Sequence, residues 1–162
     1  MIIIVMGVLG AGKTTVGSLL ARELGFEFHD ADSFHSAANI EKMRRGIPLT
    51  DSDRGPWLDS LRQAMQQWSA QGKNIVLACS ALKKAYRQRL LINSGVKLVY
   101  IKADYELIQA RLQNRHGHFA GQQLVASQFT DLEEPQDAIV VDGSRSPAEI
   151  VQQLRAALGG AG

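Results

Sequence analysis

Gly7-Val8-Leu9-Gly10-Ala11-Gly12-Lys13-Thr14 has glycines, a lysine and a hydroxyl at the spacing that suits a bound phosphate. Glycines let successive backbone N–H groups curl around an anion, and a helix starting there adds the positive end of its dipole. Lys13 has the reach to meet β- and γ-oxygens, and the Thr14 hydroxyl can ligate Mg²⁺. The expected cradle is Gly7, Val8, Leu9, Gly10, Ala11, Gly12, Lys13, Thr14 and Thr15. Such a motif indicates a nucleotide phosphate and does not, alone, indicate a kinase.

Two carboxylates follow in His29-Asp30-Ala31-Asp32. Alternate positions of an extended stretch point to one side, so both could face the phosphate site. A carboxylate can hold Mg²⁺ through its waters, and another can orient and deprotonate an acceptor hydroxyl. Asp30 is assigned to the metal shell with Thr14, and Asp32 to the acceptor. The plainer alternative is that one of them caps a helix beginning near Ser33. The apolar run ending at Cys79-Ser80 closes on no acidic residue, so a further metal carboxylate is not expected there.

These groups need a scaffold that brings them to one edge. Short apolar runs at Ile2–Met6, Glu27–His29, Asn74–Cys79, Lys97–Ile101 and Ala138–Val141 alternate with helical patterns. That alternation predicts an α/β domain with a five-stranded parallel sheet flanked by helices, whose carboxyl edge collects ligands. A helix should follow the phosphate loop to about Leu24. Leu58, Leu61, Met65 and Trp68 recur at helical spacing, as do Tyr105, Ile108 and Leu112, and both sets are expected on the sheet. Ser146, Pro147 and Glu149 form the start signal of a last helix whose apolar face is Ile150, Val151, Leu154 and Leu158.

Composition narrows the function classes. The 162 residues are 45% hydrophobic with a formal charge of +2, and the basic residues form no block, which disfavours nucleic acid. The apolar runs are too short to span a bilayer, and the first flows into the glycine motif without a charged leader. The one cysteine, Cys79, excludes a disulfide framework and suits a reducing compartment. A single cytoplasmic domain spanning 1–162 is the expected organisation.

Beyond the phosphate loop, the chain carries Asn39-Ile40-Glu41-Lys42-Met43, then Gly46 to Leu58, Cys79 to Arg87, His118-Phe119, Ser127-Gln128-Phe129 and Leu132-Glu133-Glu134-Pro135. In order, and across nearly the whole length, these resemble the gluconokinase family of P-loop kinases. The resemblance implies transfer of the γ-phosphate of ATP to the terminal hydroxyl of D-gluconate, with Mg²⁺. It also implies a fold similar to shikimate and nucleoside monophosphate kinases, and a homodimer. A gluconate carboxylate calls for a guanidinium, for which Arg54 and Arg87 are candidates. His35, Ser80, Lys83 and His118 complete the expected substrate contacts, with Asp32 among them. A mobile helical lid is expected over about 113–130, with Arg115 and, secondarily, Arg111 meeting the phosphates. Lys13, Asp32 and Arg115 are the expected catalytic groups. A kinase for another small hydroxy acid, shikimate-like, and a non-catalytic ATP-binding regulator are the alternatives. Two departures from the family pattern are Ala31, where glycine is usual, and Ala120-Gly121, where a bulky apolar residue is usual.

Overall fold

In the computed structural model, which describes residues 1–113 and 119–159, the apolar runs become β1 (Ile2–Met6), β2 (Glu27–Asp30), β3 (Ile75–Ala78), β4 (Val96–Lys102) and β5 (Ile139–Asp142). All neighbours are parallel, in the order β2-β3-β1-β4-β5. Every residue of β1 and β3 is buried, as expected of strands covered on both faces. β2 therefore lies beyond β3, and its register pairs Asp30 with Ala78. The same Ala78 pairs with Val5 of β1, so the ends of the three strands finish level along one edge.

The period of two in β1 divides the core. Ile3 and Val5 face α1 (Lys13–Leu24), α5 (Tyr105–Gln113) and α7 (Pro147–Gly159), where they join Val16, Leu20, Ile108, Ile150 and Leu154. Ile2, Ile4 and Met6 face α3 (Asp51–Ala70) and α4 (Lys84–Leu90), packing with Trp57, Leu61, Met65, Trp68 and Leu90. Each such side chain contributes about 1.5–3 kcal/mol by leaving water. The two layers hold the strand ends rigidly in place. The remaining helices, α2 (Ala37–Arg44) and α6 (Phe119–Asp131), stand at the carboxyl edge.

Caps fix where several helices begin. Thr50 and Asp53 form a reciprocal capping box at α3, a helix that also contains Pro56. At α7, Ser146 Oγ accepts the Glu149 N–H at 3.2 Å, the N-cap the sequence predicts, but the Glu149 carboxylate takes the Ser146 hydroxyl at 3.0 Å rather than the backbone N–H of a reciprocal capping box. One packing expectation is corrected. Ile108 is buried, whereas Tyr105 is 43% exposed and meets Phe129 edge-on, because it starts α5 on the outward side.

Candidate active site

The phosphate loop leaves β1 and turns through Gly10 and Gly12, whose φ values of 84° and 105° lie in the left-handed region where a side chain would be strained. Gly12 is also the N-cap of α1 and has no side chain to occupy the first N–H groups. Those donors are left for an anion. Lys13 leans back over the loop, its Nζ donating to the Val8 carbonyl at 3.1 Å. Burial lowers the Lys13 pKa, while the carboxylates of Asp32 and Asp30 oppose the shift. Its Nζ meets a backbone carbonyl and, among the described residues, is in no ion pair, which suits it to phosphate oxygens.

Asp30 caps the next turn with one oxygen and meets Thr14 with the other. Its Oδ1 accepts the Asp32 N–H at 2.9 Å, capping the short 3₁₀ turn Ala31–Phe34, and its Oδ2 accepts from the Thr14 hydroxyl at 3.4 Å. Asp32 opens to the cleft beyond it. Desolvation by the cleft walls raises its pKa, the Asp30 charge adds to the rise, and Lys13 opposes it. Trp57 holds this segment from beneath, donating its indole N–H to the Ala31 carbonyl at 2.8 Å. Ala31 is fully buried and outside the positive-φ region, so the usual glycine is not demanded here by the backbone.

His35 stacks on Trp57 with centroids 4.4 Å apart and planes 10° apart. Its Nδ1 lies 3.3 Å from Asn39 Nδ2, whose amide is oriented by donating to the Asp53 carbonyl at 2.9 Å. An NH₂ group can only donate, so Nδ1 accepts and Nε2 carries the proton. Burial first, and Arg54 second, bring the His35 pKa down to about 4. The ring is neutral at physiological pH and suited to a hydroxyl oxygen.

Arg54 is the cation of this cleft. Its Nη1 donates to the Tyr86 hydroxyl at 3.0 Å and to Asp131, at the end of α6, at 3.2 Å. Burial works against its charge, but Tyr86 and Asp131 more than offset that and raise its pKa. Tyr86 in turn donates to Asp51, which also accepts Lys83 Nζ at 3.0 Å.

Together Lys13, Thr14, Thr15, Asp30, Asp32, His35, Arg54 and Ser80 line one cavity of about 800 Å³. Three of the expected contacts lie elsewhere. Arg87 is only 6% exposed and donates to the carbonyls of Ala81, Leu82 and Glu133 at 2.8, 2.9 and 2.7 Å, so it is no clamp for a substrate carboxylate. It braces the turn after β3, where Ala81 is held at a φ of 47° that a side chain rarely adopts. Lys83 is spent on Asp51 and does not line the cavity. Arg111 ties the Gly10 carbonyl, at 2.8 Å, to the Gly143 carbonyl, bracing the loop rather than facing phosphate. Arg115 and His118 fall outside the described residues, as does the side chain of Ala120. A wider depression of about 1420 Å³ runs along β4, β5 and α7 and includes Asp142, Ser144 and Arg145. Lys102, Asp104, Glu106, Asp142 and Glu149 line it, but the phosphate loop with Lys13 lines only the smaller cavity of the two.

Sequence reading missed the residues that support the site from behind. Trp57, Asn39, Tyr86 and Asp131 lie in or near the family-like stretches, but each acts through a contact more than ten residues away, which spacing does not reveal. Gln128 was likewise visible only as part of Ser127-Gln128-Phe129, yet it reaches the phosphate loop.

The shikimate kinase family model matches residues 9–158. The probable gluconokinase of Xenopus tropicalis is 41% identical, the alignment covering 95% of this chain and 91% of the relative. A gluconokinase structure from Sinorhizobium meliloti 1021 superposes with a TM-score of 0.87 at 36% identity, covering 98% of this chain and 91% of that one. An unliganded sugar kinase from Janibacter sp. HTCC2649 gives a TM-score of 0.89 at 41% identity, with 98% and 94% covered.

Proposed function

The chain belongs to the gluconokinase family, and from that premise we propose that its cleft transfers the γ-phosphoryl group of ATP to the terminal hydroxyl of D-gluconate, giving 6-phospho-D-gluconate. The observation that carries this reading is one cavity in which Lys13 and the phosphate loop share walls with Asp32, His35 and Arg54. A nucleotide cradle, a base and a cation for an acid are what this reaction requires.

Each residue has a separate task. The loop N–H groups and Lys13 hold the phosphates and offset charge as the phosphoryl group moves. Asp32 accepts the proton of the attacking hydroxyl, and its raised pKa makes it a better base than an ordinary carboxylate. His35 donates through Nε2 to a substrate hydroxyl, and Ser80 offers another short polar contact. Arg54 receives the gluconate carboxylate, for which Asp131 is the internal counter-ion it holds beforehand.

Thr14 and Asp30 fit a magnesium ion. Their oxygens lie 3.4 Å apart, and Mg²⁺ takes one or two protein oxygens together with water and phosphate. Among the described residues no cluster of three His, Cys, Asp or Glu forms a protein-only metal cage. The ion would neutralise phosphate charge at that place. Arg115 belongs to the lid reading: α6 supplies Leu124, Ser127 and Gln128 to the cavity wall, and closure over 113–130 would exclude water.

The setting follows from smaller features. No helix among the described residues is long and apolar enough to cross a membrane. Cys79 is buried, and burial pushes its thiol up to about 12, so it is inert and compatible with a reducing cytoplasm. The homodimer implied by the family is tested by light scattering. Function is tested by ADP release across gluconate, other sugar acids and shikimate: gluconate should give the highest kcat/KM, and a higher value for shikimate would overturn the assignment.

A further inference from the structure

Helix α6 places one side chain on the phosphate loop itself. Gln128 Oε1 accepts the Leu9 N–H at 2.6 Å, across 119 residues of sequence. That bond fixes which way the carboxamide faces, because an N–H can only be met by the oxygen. The other corner, Nε2, carries two N–H donors and has no acceptor among the described residues. Gln128 also lines the cavity together with Gly10, Gly12 and Lys13 on one side and Asp32 and Arg54 on the other. Its donors thus stand where the phosphate cradle meets the acceptor pocket. Of the three phosphoryl groups of a nucleoside triphosphate, the terminal one is nearest the acceptor.

We propose that Gln128 is a phosphate-contacting residue, its Oε1 holding the Leu9 N–H while its Nε2 donates to a γ-phosphoryl oxygen of the bound nucleoside triphosphate. The inference rests on reading this cleft as the ATP site and adds a contact that depends on the third phosphate. The same bond docks α6 against the loop, so the helix is positioned by the nucleotide's terminal group as well as by Leu9. Adenosine diphosphate offers no oxygen there, and α6 is then held by Leu9 alone.

Two variants separate phosphate contact from loop bracing. Gln128→Glu keeps an oxygen for Leu9 but replaces both donors with negative charge, and Gln128→Met keeps the length while removing every polar atom. Affinities for a non-hydrolysable ATP analogue and for ADP are measured by calorimetry, with thermal melts alongside. Both variants should lose about 10- to 100-fold in affinity for the triphosphate, the worth of one charge-assisted hydrogen bond, and bind ADP as before. The loss should be larger for Gln128→Glu, and kcat with gluconate should fall in the same order. Equal losses for ATP analogue and ADP in Gln128→Glu, or no loss at all, would overturn the proposal. If Gln128→Met melts at assay temperature, Gln128→Glu decides alone, since it retains the Leu9 bond. A wild-type protein that binds neither nucleotide would refute the reading of the cleft, not the role of Gln128 within it.

Discussion

Replacing Arg87 with methionine should unfold the protein more readily without changing how it recognises gluconate. The guanidinium donates three hydrogen bonds of 2.7–2.9 Å to the carbonyls of Ala81, Leu82 and Glu133. Each charge-assisted bond contributes about 1.5–3 kcal/mol, so their gross loss is about 4.5–9 kcal/mol. Part of this is returned, because burial of the guanidinium is itself unfavourable, as its lowered pKa shows. What the methionine strands is three buried carbonyls rather than a charge, each costing about 1–3 kcal/mol, and with the desolvation returned the net is about 3–5 kcal/mol. For a chain of this size that corresponds to a fall of about 6–20 °C in Tm. Urea unfolding and a melting curve give the stability, and steady-state kinetics well below the new Tm give KM. A variant that melts like the wild type while its gluconate KM rises would show that Arg87 faces substrate, and the assignment of Arg54 as the carboxylate partner would lose its main argument. Arg87→Lys should recover little, because one ammonium cannot reach three carbonyls in that geometry.

Asp32→Asn should lower kcat by about 10²–10⁴ while preserving the fold, read by ADP release and circular dichroism. In the wild type the base must be ionised and its pKa is raised, so turnover should fall with decreasing pH at values above the ordinary carboxylate range, a limb the variant lacks. Arg54→Lys should raise the gluconate KM about tenfold with ATP KM unchanged, since a point charge replaces a planar fork; a shift in ATP KM alone would contradict its placement. His35, whose folded pKa is about 4 against 6.5 when unfolded, takes up its proton more readily in the unfolded chain. Its contribution to stability is therefore complete above pH 6.5 and is lost as pH falls towards 4. Denaturant midpoints across that range should drop more steeply for the wild type than for His35→Gln.

The sheet, the phosphate loop and the pairing of Asp30 with Asp32 were legible because each depends on near neighbours: a run of β-branched residues, glycines at fixed offsets, two carboxylates one residue apart. Arg87 was misread because type alone recommends a guanidinium for a carboxylate. What decides the matter is the turn at Ala81, whose positive φ aims two carbonyls inward and needs a donor there. Arg111 was misread for a similar reason, as its partners Gly10 and Gly143 are separated from it by 101 and 32 residues. Asp30 shows the opposite case, in which the capping reading holds and still leaves an oxygen on Thr14, because its two oxygens meet different donors.

The central place of β1 also governs how the protein is made. Its neighbours are supplied by Ile75–Ala78 and Val96–Lys102, so in the growing chain β1 has no strand partner until about seventy further residues have been synthesised. Such distant pairings delay folding, because the chain must close long loops before any contact rewards it. The nascent Ile2–Met6 run is meanwhile an exposed apolar strand in need of protection. ATP can stabilise the chain only after β3 and β4 have flanked β1, which makes nucleotide binding a late check on completed synthesis rather than an aid to its early steps.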